Sequence, residues 1–235
     1  MRTIESSLLK EKGKFPPSIR KCVGAGRANE LLRKAALDQL EQTYQDCGFQ
    51  YLRFHGLFAE DMGVYKETTD GKPIYNFQYI DMLYDELLQI GIRPFVELSF
   101  MPDALASGTQ TVFWWKSNVT PPTDYSKWGN LIRKFAEHLV MRYGLEEVEN
   151  WYFEVWNEPN HPAFFSGTQE DYFKMYDIAA QAIKGVSPSL QVGGPATAGN
   201  AWIPELIEHC ASNQIPLDFI STHTYGVFGD FDEFG

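Results

Sequence analysis

Short apolar segments alternate along this chain with longer segments of helical periodicity. Six stretches rich in β-branched and aromatic residues, each bounded by Gly, Pro or polar residues, predict strands. They begin near Lys21 (K-C-V-G), Tyr51 (Y-L-R-F-H), Arg93 (R-P-F-V-E-L), Trp151 (W-Y-F-E-V-W), Gln191 (Q-V-G-G) and Asp218 (D-F-I-S-T-H). The segments between them predict helices. The first covers 31–47. The second covers 76–89, with Asn76 as N-cap, Ile80, Leu83, Leu87 and Leu88 on one face, and Gly91 as the stop. The third covers 125–143, with Trp128, Ile132, Phe135 and Leu139 at helical spacing and Gly144 behind them. The fourth follows Thr168-x-x-Asp171, a relative of the capping box, and ends before Pro188. The fifth covers 203–212. Apolar strands separated by such helices predict a parallel α/β structure.

The functional-looking polar residues stand at the C-terminal ends of these strands: His55, the stretch from Glu97 to Pro102, Asn157-Glu158, and His223-Thr224-Tyr225. A (β/α)₈ TIM barrel gathers its active face in this way. A doubly wound sheet also binds ligands at strand ends. Its phosphate fingerprint is incomplete here, because Asn29 stands where Gly24-Ala25-Gly26 would need a third glycine. A barrel needs eight strands and typically ~250 residues. The expectation is therefore that residues 1–235 form about the first six βα units of a catalytic barrel domain, incomplete at its C-terminal side, with strands seven and eight beyond Gly235.

Composition narrows the partners. The 235 residues are enough for one large domain or two small ones, and 44% hydrophobic with 15% aromatic residues suit a globular protein with a large core. A net charge of −11 argues against nucleic acid and anionic membrane surfaces, which call for basic patches. Cys22, Cys47 and Cys210 form no C-x-x-C and read as buried free thiols of a reducing compartment. There is no H-E-x-x-H, and the five histidines lack ligand spacing, so neither a metal nor another cofactor is expected. No G-x-S-x-G elbow supports a serine hydrolase. The N-terminal residues lack a signal-peptide core, and no apolar run reaches membrane-spanning length. Asn118-Val119-Thr120 matches a glycosylation pattern by chance on this reading, and a cytoplasmic protein is expected.

One stretch carries the chemistry. Residues 151–160 read W-Y-F-E-V-W-N-E-P-N, an apolar strand ending in Asn157-Glu158-Pro159. A residue before proline is pushed away from the α region, so Glu158 is expected to be extended and held at the strand mouth. A carboxyl in dry, aromatic surroundings has its charged form disfavoured, which suits a general acid. The adjacent Asn157 amide could hold a sugar hydroxyl.

That run resembles the acid/base signature of glycoside hydrolase family 39, the β-xylosidases and α-L-iduronidases of clan A. Further stretches resemble the β-xylosidase branch: K-C-V-G-A-G-R-A-N-E near Lys21, Y-L-R-F-H-G-L-F-A-E-D-M-G-V-Y near Tyr51, S-G-T-Q-T-V-F-W-W near Ser107, N-V-T-P-P-T-D-Y near Asn118 and V-G-G-P-A near Val192. The iduronidase branch tends to carry Asp where Asn160 stands. The resemblance implies a retaining, exo-acting β-D-xylosidase that releases xylose from the non-reducing ends of short xylo-oligosaccharides. It implies Glu158 as the acid/base and Asn157 as the ligand of the 2-hydroxyl. It also implies His55 on another xylose hydroxyl, Phe113 as a subsite wall, and His223 and Tyr225 completing the subsite, with Tyr225 near the nucleophile. A lone strand-end histidine is more often structural; the surrounding motif reverses that for His55. Trp114 and Trp115 read equally as subsite walls or loop packing. The resemblance further suggests a homo-oligomer. The rival readings are another clan A hydrolase, of α-L-iduronidase or endo-glucanase type, or a non-catalytic sugar-binding barrel.

A retaining glycosidase needs a second carboxylate, about 5–5.5 Å from the first. In this clan it ends strand seven, which places the nucleophile beyond Gly235 and makes residues 1–235 alone inactive. Glu97 is the other strand-end glutamate, but a buried hydrogen-bonding role suits it better. Glu154 lies four residues back along the same strand, roughly 13 Å from Glu158.

Overall fold

The computed structural model describes residue 13 and residues 16–225. The expected strands are β1 (Cys22–Arg27), β2 (Tyr51–His55), β3 (Arg93–Leu98), β4 (Tyr152–Val155), β5 (Gln191–Ala198) and β6 (Phe219–His223). They form one sheet in chain order, and every neighbouring pair is parallel. The connections carry α1 (Lys34–Cys47), α2 (Gln78–Ile90), α3 (Tyr125–Tyr143), α4 (Gln169–Val186) and α5 (Ile203–Asn213). This is the expected α/β architecture, a six-stranded portion of a TIM barrel.

The sheet is curled. Phe95 on β3 and Phe219 on β6 are three strands apart, yet their ring centroids lie 5.7 Å from each other. In a flat sheet that separation would be roughly 14 Å. The two faces of each strand then divide by the two-residue alternation of side chains. On the concave face, Phe95, Tyr152 and Phe219 make an aromatic layer, with Tyr152 stacked on Phe95 at 5.4 Å. Two residues further along come Glu97 and Glu154, which Arg53, level with Phe95 on β2, joins in an ionic layer. On the convex face, Leu52, Phe54, Val96, Leu98, Phe153 and Val155 are buried against the helices. Their counterparts on α3, Trp128, Ile132, Phe135 and Leu139, are fully buried, as the helical spacing predicted.

Some buried polar groups of this core find partners, while the Tyr84 hydroxyl has none. Trp128 Nε1 donates to the Met175 carbonyl at 3.1 Å, and Tyr172 Oη donates to the Val155 carbonyl at 3.0 Å. The second bond ties α4 to the last residue of β4, just before the Asn157-Glu158 pair. At Gly193 a Cβ would lie 2.3 Å from the Phe219 carbonyl oxygen, so β5 and β6 can approach there only without a side chain.

Local details depart from the sequence reading. The first helix is split: residues 28–31 form one turn, and α1 begins at Lys34. In α2 Phe77 takes the N-cap position, while Asn76 Oδ1 accepts from the Gln78 amide at 3.1 Å, and Leu88 is only partly buried. The fourth helix has a complete capping box, with Thr168 and Asp171 exchanging backbone-to-side-chain bonds. Two small hairpins, pairing Tyr65–Glu67 with Pro73–Tyr75 and Thr111–Val112 with Ser117–Asn118, were not predicted. Of the three thiols only Cys210 is buried among the described residues; Cys22, at the start of β1, and Cys47, at the solvent end of α1, are exposed, contrary to expectation. Gly24 and Gly26 lie inside β1 rather than in a phosphate-cradling loop. Asn118 is buried, its Oδ1 accepting from Thr120 and its Nδ2 donating to the Gly108 carbonyl, which leaves no room for a glycan. Among the described residues no helix is long and apolar enough to cross a membrane.

Candidate active site

At the C-terminal rim of the sheet lies an open cleft of about 550 Å³. Its lining includes all six residues singled out in the sequence: His55, Phe113, Asn157, Glu158, His223 and Tyr225. Arg53, His161, Phe164 and Ala198 line it as well. Three of the five histidines thus converge on one site. The other two are tied to aspartates on neighbouring helices, His138 to Asp81 and His209 to Asp177. Among the described residues no group of three or more His, Cys, Asp or Glu could hold a metal ion.

Glu158 is 8% exposed, at the edge between core and cleft. Its conformation is not the extended one expected before a proline. Glu158 has φ +46° and Trp156 has φ +73°, both in the left-handed region that L-residues with side chains avoid. The surroundings enforce this. The Glu158 amide donates to the Ala196 carbonyl at 2.9 Å, and its own carbonyl accepts from the His161 amide at 2.9 Å. Trp156 Nε1 donates to the Phe164 carbonyl at 2.9 Å. Tertiary bonds have overridden the local preference, and they aim the side chain into the cleft. One carboxylate oxygen, Oε1, lies 2.7 Å from His223 Nδ1. Oε2 has no partner among the described residues and is left to a ligand.

Asn157 is oriented by Arg53, whose Nη2 donates to Oδ1 at 3.0 Å. The amide Nδ2, a donor, then faces the cleft. The same guanidinium holds the ionic layer together: Nη2 lies 2.8 Å from Glu97 Oε2, and Nε donates to Glu154 Oε2 at 2.6 Å. Burial would raise the Glu97 carboxyl, but Arg53, His55 and Ser99 outweigh it and hold it below the ordinary carboxylate range. Glu97 is therefore an anion saturated by three neighbours, which fits the buried hydrogen-bonding role and leaves no oxygen for chemistry. Glu154 is 1% exposed and lies under the site, bound to Arg53.

His55 leans on Glu97. Its Nδ1 lies 2.8 Å from Oε2, and since Glu97 is ionised the proton of that bond sits on Nδ1. Nε2 is left to the cleft. Phe113 lies over the His55 ring at 5.6 Å with an interplanar angle of 29°, and Phe164 packs tilted against Phe113 at 5.5 Å. This wall of the cleft is thus aromatic. Tyr225, 70% exposed, stands on the rim.

Sequence reasoning passed over Arg53, although a signal was present. An arginine two residues before His55, inside an otherwise apolar strand, must share the His55 face of the sheet and needs carboxylates to be buried there. His161 and Phe164 had no such signal, because a loop without period gives none.

Comparison with known proteins gives a consistent picture. The family model described as glycosyl hydrolases family 39 matches residues 3–234. A β-xylosidase of Caldicellulosiruptor saccharolyticus is 53% identical over 217 residues, 92% of this chain and 44% of the relative. A β-xylosidase of Geobacillus stearothermophilus is 50% identical over 218 residues, 90% of this chain and 43% of the relative. Among solved structures, a monomeric β-xylosidase from Caulobacter crescentus CB15 superimposes with a TM-score of 0.87 at 46% identity, covering 90% of this chain and 43% of that one. The chain spans less than half the length of each of these relatives.

Proposed function

The chain belongs to glycosyl hydrolases family 39, and on that premise we propose that the whole protein is a retaining, exo-acting β-D-xylosidase acting on short xylo-oligosaccharides. The observation that carries this reading is Glu158, a strand-end carboxylate with one oxygen on His223 and the other facing an aromatic-walled cleft. In the first step Glu158 protonates the leaving oxygen. In the second it takes a proton from the water that attacks the glycosyl-enzyme. The Asn157 Nδ2 donor binds the 2-hydroxyl, and His55 Nε2 holds another hydroxyl of the same ring. Phe113 covers the sugar's C–H face. His223 and Tyr225 close the opposite side.

The nucleophile belongs to this proposal too: a glutamate from a seventh strand following residue 235, about 5–5.5 Å from Glu158. Residues 1–235 by themselves would then bind sugar weakly and turn nothing over. Self-association of the whole protein is also part of the proposal; light scattering on the purified protein decides it, and a relative is described as monomeric.

The test uses the full-length protein and a panel of aryl glycosides. Turnover of an aryl β-D-xyloside is expected to exceed that of the α-L-iduronide and of glucan substrates, with β-xylose as the first product seen by NMR. Release of the α-anomer first, or indifference to the xyloside, would sink the reading.

A further inference from the structure

We propose that Arg27, on β1 and outside the cleft, is a positioning residue that sets the wall of the sugar subsite. This rests on the functional reading above. Arg27 is paired in register with His55 on β2. It is 6% exposed, and its Nη1 lies 2.7 Å from Asp61 Oδ2. Its guanidinium carbon sits 4.7 Å from the Trp115 ring centroid and 5.1 Å from that of Trp114. Trp115 in turn lies flat on Phe113, with centroids 5.2 Å apart and an interplanar angle of 13°. Phe113 lies over His55. A continuous stack therefore runs from Arg27 through Trp115 and Phe113 to His55, and its last two members face the sugar.

The loop that carries this stack would not hold its shape unaided. Phe113 and Lys116 have φ +62° and +52°, conformations that persist in non-glycine residues only when neighbours impose them. Gly56, directly after His55, makes the space for Trp115: a Cβ there would stand 2.8 Å from the indole Cη2. Arg27 closes the other side. A guanidinium suits this place because its plane stacks on indole while its edge donates to Asp61, which a lysine cannot do at once. With Arg27 gone, the left-handed turn can relax, Phe113 can leave His55, and the subsite widens. Such a wall touches the sugar in the ground state and in the transition state alike, so its loss falls on KM rather than kcat.

Arg27→Met, made in the full-length protein, keeps the apolar stem and removes the cation. KM for an aryl β-D-xyloside is expected to rise about tenfold with kcat within about twofold, and Arg27→Lys should fall between variant and wild type. Lys116 gives a readout independent of turnover, since trypsin can cleave after it. Cleavage there, followed by mass spectrometry on the folded protein, is expected to accelerate about tenfold in Arg27→Met. Wild-type KM in the variant overturns the proposal, whether or not cleavage speeds up, and so does a fall confined to kcat. If the wild-type protein ignores the xyloside, the sugar reading fails, and the cleavage rate alone decides whether Arg27 holds the loop. Should Arg27→Met not fold, Asp61→Asn removes only the ion pair and must shift KM and cleavage in the same direction.

Discussion

Glu158→Ala in the full-length protein should slow turnover of xylobiose by roughly 10²–10⁴-fold, the usual worth of a positioned general acid. The loss should depend on the leaving group. An aryl β-D-xyloside with an acidic phenol needs little protonation, so its glycosylation step should survive almost intact. Deglycosylation then becomes slow, because no base activates water. The expected signature is a burst of phenol followed by a low steady rate, with KM falling as the glycosyl-enzyme accumulates. Azide, which attacks without base assistance, should restore turnover and release the β-glycosyl azide. The left-handed backbone at Glu158 and the bond between its amide and the Ala196 carbonyl do not depend on the side chain, so the variant should keep the fold. Unchanged kinetics on xylobiose would remove Glu158 from the mechanism.

The second large effect falls on stability. Arg53→Met removes the one cation placed between two carboxylates that are each 1% exposed, Glu97 and Glu154. Stripping a buried charge of its partner costs about 3–5 kcal/mol, so the melting temperature should drop by roughly 6–20 °C. The pH dependence separates this cause from simple loss of packing. In the wild type, Glu97 is held below the ordinary carboxylate range, although burial pulls the other way. Its contribution is present above the unfolded carboxylate pKa of about 4.3 and is lost as pH falls through the lower folded value. Without Arg53, burial is opposed mainly by His55, and the Glu97 carboxyl rises. The penalty then exists at neutral pH and disappears as acid protonates the group. The gap between variant and wild type should narrow from pH 7 to pH 5. A gap that stays constant across that range would show that charge is not what Arg53 contributes.

Much of this was written in the sequence, and the exceptions share a cause. Helix α3 was placed at both ends because Gly144 stops it and four buried residues share one face. The strands were legible because convex and concave faces are both covered, so they read as apolar runs. His55, Asn157, Glu158 and His223 were legible because a barrel brings strand ends together whatever the loops do, whereas Phe113 was reached only through the family resemblance. What failed was local inference about residues governed by distant partners. The proline rule makes Glu158 extended, yet bonds from Ala196 and His161 hold it left-handed. Arg53 was passed over, because its carboxylate partners Glu97 and Glu154 lie on other strands. The hairpin that carries Phe113 and Trp115 is fixed by Arg27, almost ninety residues earlier in the chain.

The left-handed turn at Glu158 also sets a trade between durability and reaction. Asparagine and glycine tolerate that conformation better than glutamate. Selection for a longer-lived fold alone would therefore drift away from a glutamate at this position. Glu158→Asn should melt at or above the wild-type temperature while losing turnover, provided the backbone penalty exceeds what the His223 contact returns; a clearly lower melting temperature would show that it does not. Stabilising this protein by screening for heat resistance without an activity assay would thus favour the loss of the carboxylate proposed as its acid.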